Sequence, residues 1–326
     1  MSEPVRRYSD ADVAARLDWA TLVNALATAF KRGGESPPRM HYDIGVAGEP
    51  NATLLLMPAW NQGHHIGLKT VTVFPGNAAR GAPSIAAQYL LFSAKNGALI
   101  ALLEAGELTA RRTAAASALA SLYLSRKDVR RLLLVGTGRL SGNLALAHAT
   151  IRNFEDIAVW GRNREKARAV ADHLVAQGLP ARAAGDLEKE ARAADLITCC
   201  TLSCTPLIKG AWLKPGTHLD LVGAFTPLMA ETDDEALQRA TLFVDTRTGA
   251  CQEAGEIVQA IRRGAIKPDD IQASLFELVS KAHPGRTSTT QITVFKSVGC
   301  ALEDLAAAEL CVEDANRSFA NATTTA

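Results

Sequence analysis

Leu132-Leu133-Leu134-Val135-Gly136-Thr137-Gly138-Arg139-Leu140-Ser141-Gly142 is a short apolar run that meets a glycine turn and opens into a helix-like stretch from Asn143 to Ile151. Glycine lets the chain turn tightly and brings backbone N–H groups close to a pyrophosphate. The following helix N-terminus adds a partial positive charge. The pattern is incomplete, because Ser141 stands at the third glycine position, and any tight strand-to-helix turn favours glycine. A second apolar run, Ile157-Ala158-Val159-Trp160, follows at the spacing of a βαβ unit. Together they predict a Rossmann-type dinucleotide-binding domain, with Gly136, Thr137, Gly138, Arg139 and Leu140 around the phosphates.

The end of the second run bears on which dinucleotide. A site for NAD usually places Asp or Glu there, to accept hydrogen bonds from the ribose hydroxyls. This chain reads Gly161-Arg162-Asn163-Arg164-Glu165-Lys166 instead. Guanidinium and ammonium groups suit a 2′-phosphate. NADPH is therefore the expected cofactor, held by Arg162, Asn163 and Arg164 with Lys166 beside them, and NADH is the alternative. An ordinary solvated helix start would also carry such residues.

The chain has 326 residues, 48% of them hydrophobic, and a formal net charge of +1. That suits two domains with sizeable cores and gives no bulk signal for nucleic acid or membrane. No uncharged apolar run is long enough to span a bilayer. Met1 to Arg7 lacks the apolar stretch of a secretory signal, so a cytoplasmic protein is expected. The six cysteines fit reduced thiols. Cys200 and Cys204 lack zinc-knuckle spacing and have no answering cluster, so no metal is expected.

Before the glycine turn the pattern changes. Asp10 to Phe30 reads as an amphipathic helix, stopped by Gly33-Gly34 and Pro37-Pro38. Strand-like runs follow at Ala52–Trp60, Ile66–Phe74 and Tyr89–Ala94, and Asn96-Gly97 signals a two-residue hairpin before Leu99-Ile100-Ala101. Thr109 to Leu124 looks helical. Beyond Trp160, strands are expected at 196–200, 218–222, 242–245 and 292–295, and a last helix from Ser297 to Val312. The fold class is α/β: a Rossmann NAD(P)-binding domain over 126–296 and an α+β substrate and dimerisation domain over 1–125. The helix at about 297–316 is expected to pack back on the latter, and 317–326 to form a disordered tail.

Four separated stretches resemble the ornithine cyclodeaminase/μ-crystallin family: Gly67-Leu68-Lys69-Thr70, Leu108 to Ser117, the Gly136 loop, and Phe295-Lys296-Ser297-Val298-Gly299 with Leu302-Glu303-Asp304. The resemblance implies a homodimer and a grip on a substrate carboxylate by Arg39, Lys69 and Arg112. An arginine fork suits a carboxylate, and the start of a helix at Arg112 would favour an anion. Residue by residue, Arg39 could equally cap a loop and Lys69 be solvated. Arg111 could replace Arg112 if the register slips by one. The family pattern also puts Ser84 and Arg112 near the nicotinamide or substrate, and Thr201, Val222 and Gly223 among the cofactor contacts.

One departure is informative. Cyclodeaminases of this family carry an acidic residue after a Gly-Gly or Gly-Ala pair, whereas Gly223-Ala224 is followed by Phe225. Phenylalanine cannot move a proton, which counts against ornithine cyclodeamination. The stretch from Asp220 to Pro227, with Glu231 to Glu235 and Val244 to Arg247, resembles instead the Δ1-pyrroline-2-carboxylate reductase branch. A cyclic ketimine needs only a hydride at C2 and a proton on nitrogen, with C2 held about 3–3.5 Å from the nicotinamide. Phe225 would then form an apolar wall for the substrate ring, and Lys69 is the candidate proton donor, its pKa lowered by neighbouring arginines. The competing expectations are an alanine or other amino-acid dehydrogenase and a μ-crystallin-like NADPH-dependent binding protein.

Overall fold

The computed structural model describes residues 4–323, apart from the side chains of Ala78 and of residues 314–323. The chain forms two compact units, Met1–Arg112 with Cys300–Ala326, and Thr113–Gly299.

In the first unit, strand β1 (Arg6–Tyr8) precedes helices α1 (Asp10–Arg16) and α2 (Trp19–Arg32). The single helix expected from Asp10 to Phe30 is thus two. Asp18 breaks it, because its carboxylate accepts from the Thr21 N–H and caps the second helix. Strands β2 (Met40–Ile44), β3 (Ala52–Trp60), β4 (His65–Val73), β5 (Ile85–Ser93) and β6 (Leu99–Glu104) follow as an antiparallel meander. β1 joins parallel to β6, giving the order β1-β6-β5-β4-β3-β2. The turn after β5 is longer than the expected two residues. It spans 94–98, with Gly97 at φ 72° donating its N–H to Ser93 O.

Helix α3 (Ala105–Leu124) runs from the first unit into the second. The boundary between the units therefore falls inside this helix, after Arg112, and not at the expected 125/126. The cause is hydrogen bonding of its C-terminal end within the second unit. Arg286 Nε and Thr293 Oγ1 donate to Leu124 O, and Arg152 Nη2 to Ser121 O.

The second unit alternates strands and helices: β7 (Arg131–Val135), α4 (Arg139–Ala149), β8 (Asp156–Trp160), α5 (Arg164–Ala176), β9 (Ala181–Ala183), α6 (Leu187–Ala193), β10 (Leu196–Cys199) and β11 (His218–Leu221). Then come α7 (Asp234–Arg239), β12 (Thr241–Val244), α8 (Arg247–Glu253), α9 (Gly255–Arg262), β13 (Ile271–Ser274), α10 (Leu275–Val279) and β14 (Thr293–Lys296). All eight strands are parallel, in the order β13-β12-β14-β11-β10-β7-β8-β9. Short, fully buried apolar strands such as Leu132–Val135 and Leu196–Cys199 belong in a sheet covered on both faces.

Helix α11 (Ala301–Thr323) belongs to the first unit and packs on α2, β3, β4 and β5. Its backbone continues through Thr323, where a disordered tail was expected from residue 317. Alanines at 320 and 322 favour helix, and residues 324–326 lie outside the described residues. Among the described residues, no helix is long and apolar enough to cross a membrane.

Candidate active site

Alternation along β4 turns Gly67 and Lys69 to the face of the first sheet covered by α11. Lys69 pairs across strands with Met57 and Tyr89, all three buried. Gly67 has to be glycine, because a Cβ would meet Tyr89 Oη at 1.8 Å. The helix supplies the countercharges. Lys69 Nζ lies 2.7 Å from Asp304 Oδ2, off the ideal hydrogen-bond line. Arg112 Nε donates to Asp304 Oδ1 at 2.8 Å and Nη1 to Glu303 Oε2 at 2.6 Å. Arg112 Nη2 makes no hydrogen bond among the described residues.

Burial pulls the Lys69 pKa down to about 8. Asp304 opposes this, while Arg112 and, more weakly, Arg39 add to it. The arginines expected to lower Lys69 do act, but desolvation is the larger cause. Burial works against the charge on Arg112 too, yet Asp304 and Glu303 outweigh it and raise the pKa. Asp304 is held low by Arg112 and Lys69 against its own desolvation. Lys69, Arg112 and Asp304 thus stay ionised as one buried cluster near neutral pH, with Glu303 Oε2 accepting from Arg112 Nη1 beside them.

Arg39, half-buried just before β2, is close enough to act on Lys69. The three residues expected to hold a carboxylate are therefore brought together. Arg112 sits about two turns inside its helix and not at the start, so the helix dipole contributes nothing there. Arg111 turns elsewhere, donating to Leu17 O at 2.9 Å and stacking over Trp19 at 4.8 Å. Ser84 is half-buried immediately before β5.

In the second unit Gly136 adopts φ 131°, and a Cβ there would meet Cys200 Sγ at 2.8 Å and Cys200 O at 3.0 Å. Gly138 is the N-cap of α4 and offers no side-chain cap to its first turn. Ser141, in place of the third glycine, is fully buried with Oγ 3.4 Å from Cys200 Sγ. A hydroxyl thus fits where the helix approaches the strand end. Gly136, Thr137, Gly138, Arg162, Asn163 and Thr201 line one cavity of about 410 Å³, and Trp160 and Lys166 share its wall. Arg139 lines an adjoining cavity that also reaches Lys166. Arg164 borders a third with Arg168.

Leu140 lies half-buried in the first turn of α4. Val222 and Gly223 are buried past β11, and none of the three is on the wall of the first cavity. Phe225, on the loop beyond, is 43% exposed. Glycine without a Cβ, an uncapped helix start and basic side chains where β8 ends fit a dinucleotide, with no carboxylate at the ribose position.

The ornithine cyclodeaminase/mu-crystallin family profile matches residues 5–318. The chain belongs to this family. A Delta(1)-pyrroline-2-carboxylate reductase of Paracoccus denitrificans is 37% identical over 295 residues, 90% of this chain and 92% of the relative. The ketimine reductase mu-crystallin of Rattus norvegicus is 36% identical over 256 residues, 78% of each chain. Among solved structures, Thermococcus litoralis Delta(1)-pyrroline-2-carboxylate reductase in complex with NADH and L-proline matches with a TM-score of 0.90 at 30% identity, covering 97% of this chain and 98% of that one. This family member is an NAD(P)H-dependent oxidoreductase.

Within it, Asp304 and Glu303 are site residues whose role the sequence does not announce, although they stand in a family-like stretch. Glu231, which fastens the backbone at Thr201 and Gly223, stands in the run from Glu231 to Glu235 that resembles the reductase branch, but the sequence does not announce this role.

Proposed function

We propose that the chain reduces cyclic ketimines with NADPH, converting Δ1-pyrroline-2-carboxylate to L-proline and Δ1-piperideine-2-carboxylate to L-pipecolate. The observation that carries this reading is the buried Lys69–Arg112–Asp304–Glu303 cluster, with Arg39 in reach, in a chain that also builds a dinucleotide corner. A bound reduced nicotinamide supplies the hydride that C2 of the imine accepts. Arg112 offers Nη2 to the substrate carboxylate while Asp304 and Glu303 hold the rest of its fork. Lys69, with a pKa of about 8, is protonated at neutral pH yet releases its proton readily, which suits a donor to the imine nitrogen.

Phe225 supports reduction over deamination, because ammonia loss needs a proton acceptor at the substrate amine. Arg162 and Lys166 on the cavity wall support NADPH over NADH. A homodimer is supported by the uncovered face of the first sheet, where Met40, Tyr42, Ile44 and Ile66 are exposed. The test is NADPH oxidation with Δ1-pyrroline-2-carboxylate, run beside pyruvate plus ammonia. Rapid oxidation with the cyclic imine, yielding L-proline, is expected. Turnover only with pyruvate and ammonia would replace this reading with alanine dehydrogenase, and silence with both would leave a binding protein.

A further inference from the structure

Outside the anion grip, one buried carboxylate joins the two loops that follow β10 and β11. Glu231 Oε1 accepts from the Thr201 N–H at 2.5 Å and from Thr201 Oγ1 at 2.8 Å. Its Oε2 accepts from the Gly223 N–H at 2.7 Å. Gly223 makes this closeness possible, since a Cβ would stand 2.0 Å from Thr201 O and 2.6 Å from Glu231 Oε1. Glu231 is itself fixed, its backbone oxygen accepting from the Leu207 and Ile208 N–H groups. Three donors aimed at two oxygens suit a carboxylate. A carboxylic acid would turn its own O–H toward one of them.

The charged groups facing Glu231 are Lys296, at the end of β14, and Glu256, in α9, both essentially unexposed. Lys296 Nζ lies 3.3 Å from Glu256 Oε1. The thiols of Cys199 and Cys200, at the end of β10, are pushed up by burial and by Glu231 and stay neutral. Asp220, further back on β11, is satisfied by Thr198 and His148. Two buried carboxylates thus share one ammonium, which disfavours ionising both. Burial, aided by Glu256 and opposed by Lys296, raises the Glu231 pKa to about 7.

We propose that Glu231 is a positioning residue whose ionised form holds the Thr201 and Gly223 loops in the shape that admits the dinucleotide, and whose protonated form releases them. The inference rests on the dinucleotide reading of the cavity that Thr201 lines. The test is the dissociation constant of NADH, which has no 2′-phosphate to titrate, followed by Trp160 fluorescence between about pH 6 and pH 8.5. One proton with a midpoint near 7 weakens binding about tenfold from pH 8 to pH 6. Glu231→Gln should bind weakly at every pH, without the midpoint. Glu256→Gln should bind like wild type at pH 8 with its midpoint moved lower, because Lys296 is then left to Glu231 alone.

A merely structural Glu231 would change affinity or melting temperature without a midpoint that Glu256 controls. A histidine titrating elsewhere would also ignore Glu256. If Glu231→Gln does not fold, Thr201→Val removes one hydrogen bond to the carboxylate and should move the midpoint up. A flat wild-type profile, or a midpoint unmoved in Glu256→Gln or Thr201→Val, overturns the role of Glu231 while leaving the dinucleotide site standing. Absence of NADH binding even at pH 8.5 overturns both.

Discussion

Lys69→Met separates the two duties assigned to Lys69. The ammonium sits beside Asp304 at 2.7 Å with a pKa of about 8. About nine-tenths of it is protonated at pH 7 and about one-tenth at pH 9. If it delivers the proton to the imine nitrogen, wild-type kcat falls about tenfold over that interval. Lys69→Met then lowers kcat by about 10²- to 10⁴-fold, the usual range for losing a general acid, and flattens the profile. If Lys69 only holds the carboxylate, kcat survives and KM rises about 10- to 100-fold, the loss of a hydrogen bond to a charged group. Removing the ammonium still leaves Asp304 paired with Arg112, so the cluster keeps one ion pair at its centre. Initial rates of NADPH oxidation, with ketimine saturating and then limiting across about pH 6.5 to 9.5, read both constants. Unchanged kcat and KM across that range would refute both duties at once.

Arg39→Met should raise KM for the ketimine about tenfold or more, measured from initial rates with the ketimine limiting, because Arg39 lies close enough to act on Lys69. Arg162→Ser combined with Lys166→Ala should cut kcat/KM for NADPH by about 10- to 100-fold and leave that for NADH nearly unchanged; equal losses for both would remove the 2′-phosphate assignment. His218 is fully buried, and burial holds its pKa near about 3, against about 6.5 when unfolded. The unfolded chain therefore takes up a proton that the folded chain refuses, and stability is lost as pH falls below 6.5, by about 1.4 kcal/mol per pH unit. Urea unfolding between about pH 6.5 and pH 5 should show His218→Gln shallower than wild type by that slope.

Much of the second unit is legible locally because its strands are buried on both faces and read as short apolar blocks. The strands at its edges are not. Ala181-Arg182-Ala183 and Ile271-Gln272-Ala273-Ser274 carry too little apolar signal, and their pairing with β8 and β12 defines them. β2 was readable, since Met40, Tyr42 and Ile44 alternate with His41 and Asp43. Pro37-Pro38 beside it signals a turn, and that signal dominates the pattern there. The helix break at Asp18 was legible too, as an acid three residues before Thr21.

The site divides along a different line. A glycine turn is local chemistry, because the residues that shape it are neighbours in the chain, whereas the buried ion cluster joins β4, α3 and α11 from distant parts of the sequence. Nothing in the pattern around Lys69 shows that Asp304 will lie against it; that follows only when α11 covers the sheet. Charge then explains why the cluster has this composition. Arg39, Lys69 and Arg112 bring three positive charges close together, and Asp304 and Glu303 answer the two buried ones. Without the two acids, three cations would face one another and the buried pair would shed protons or open.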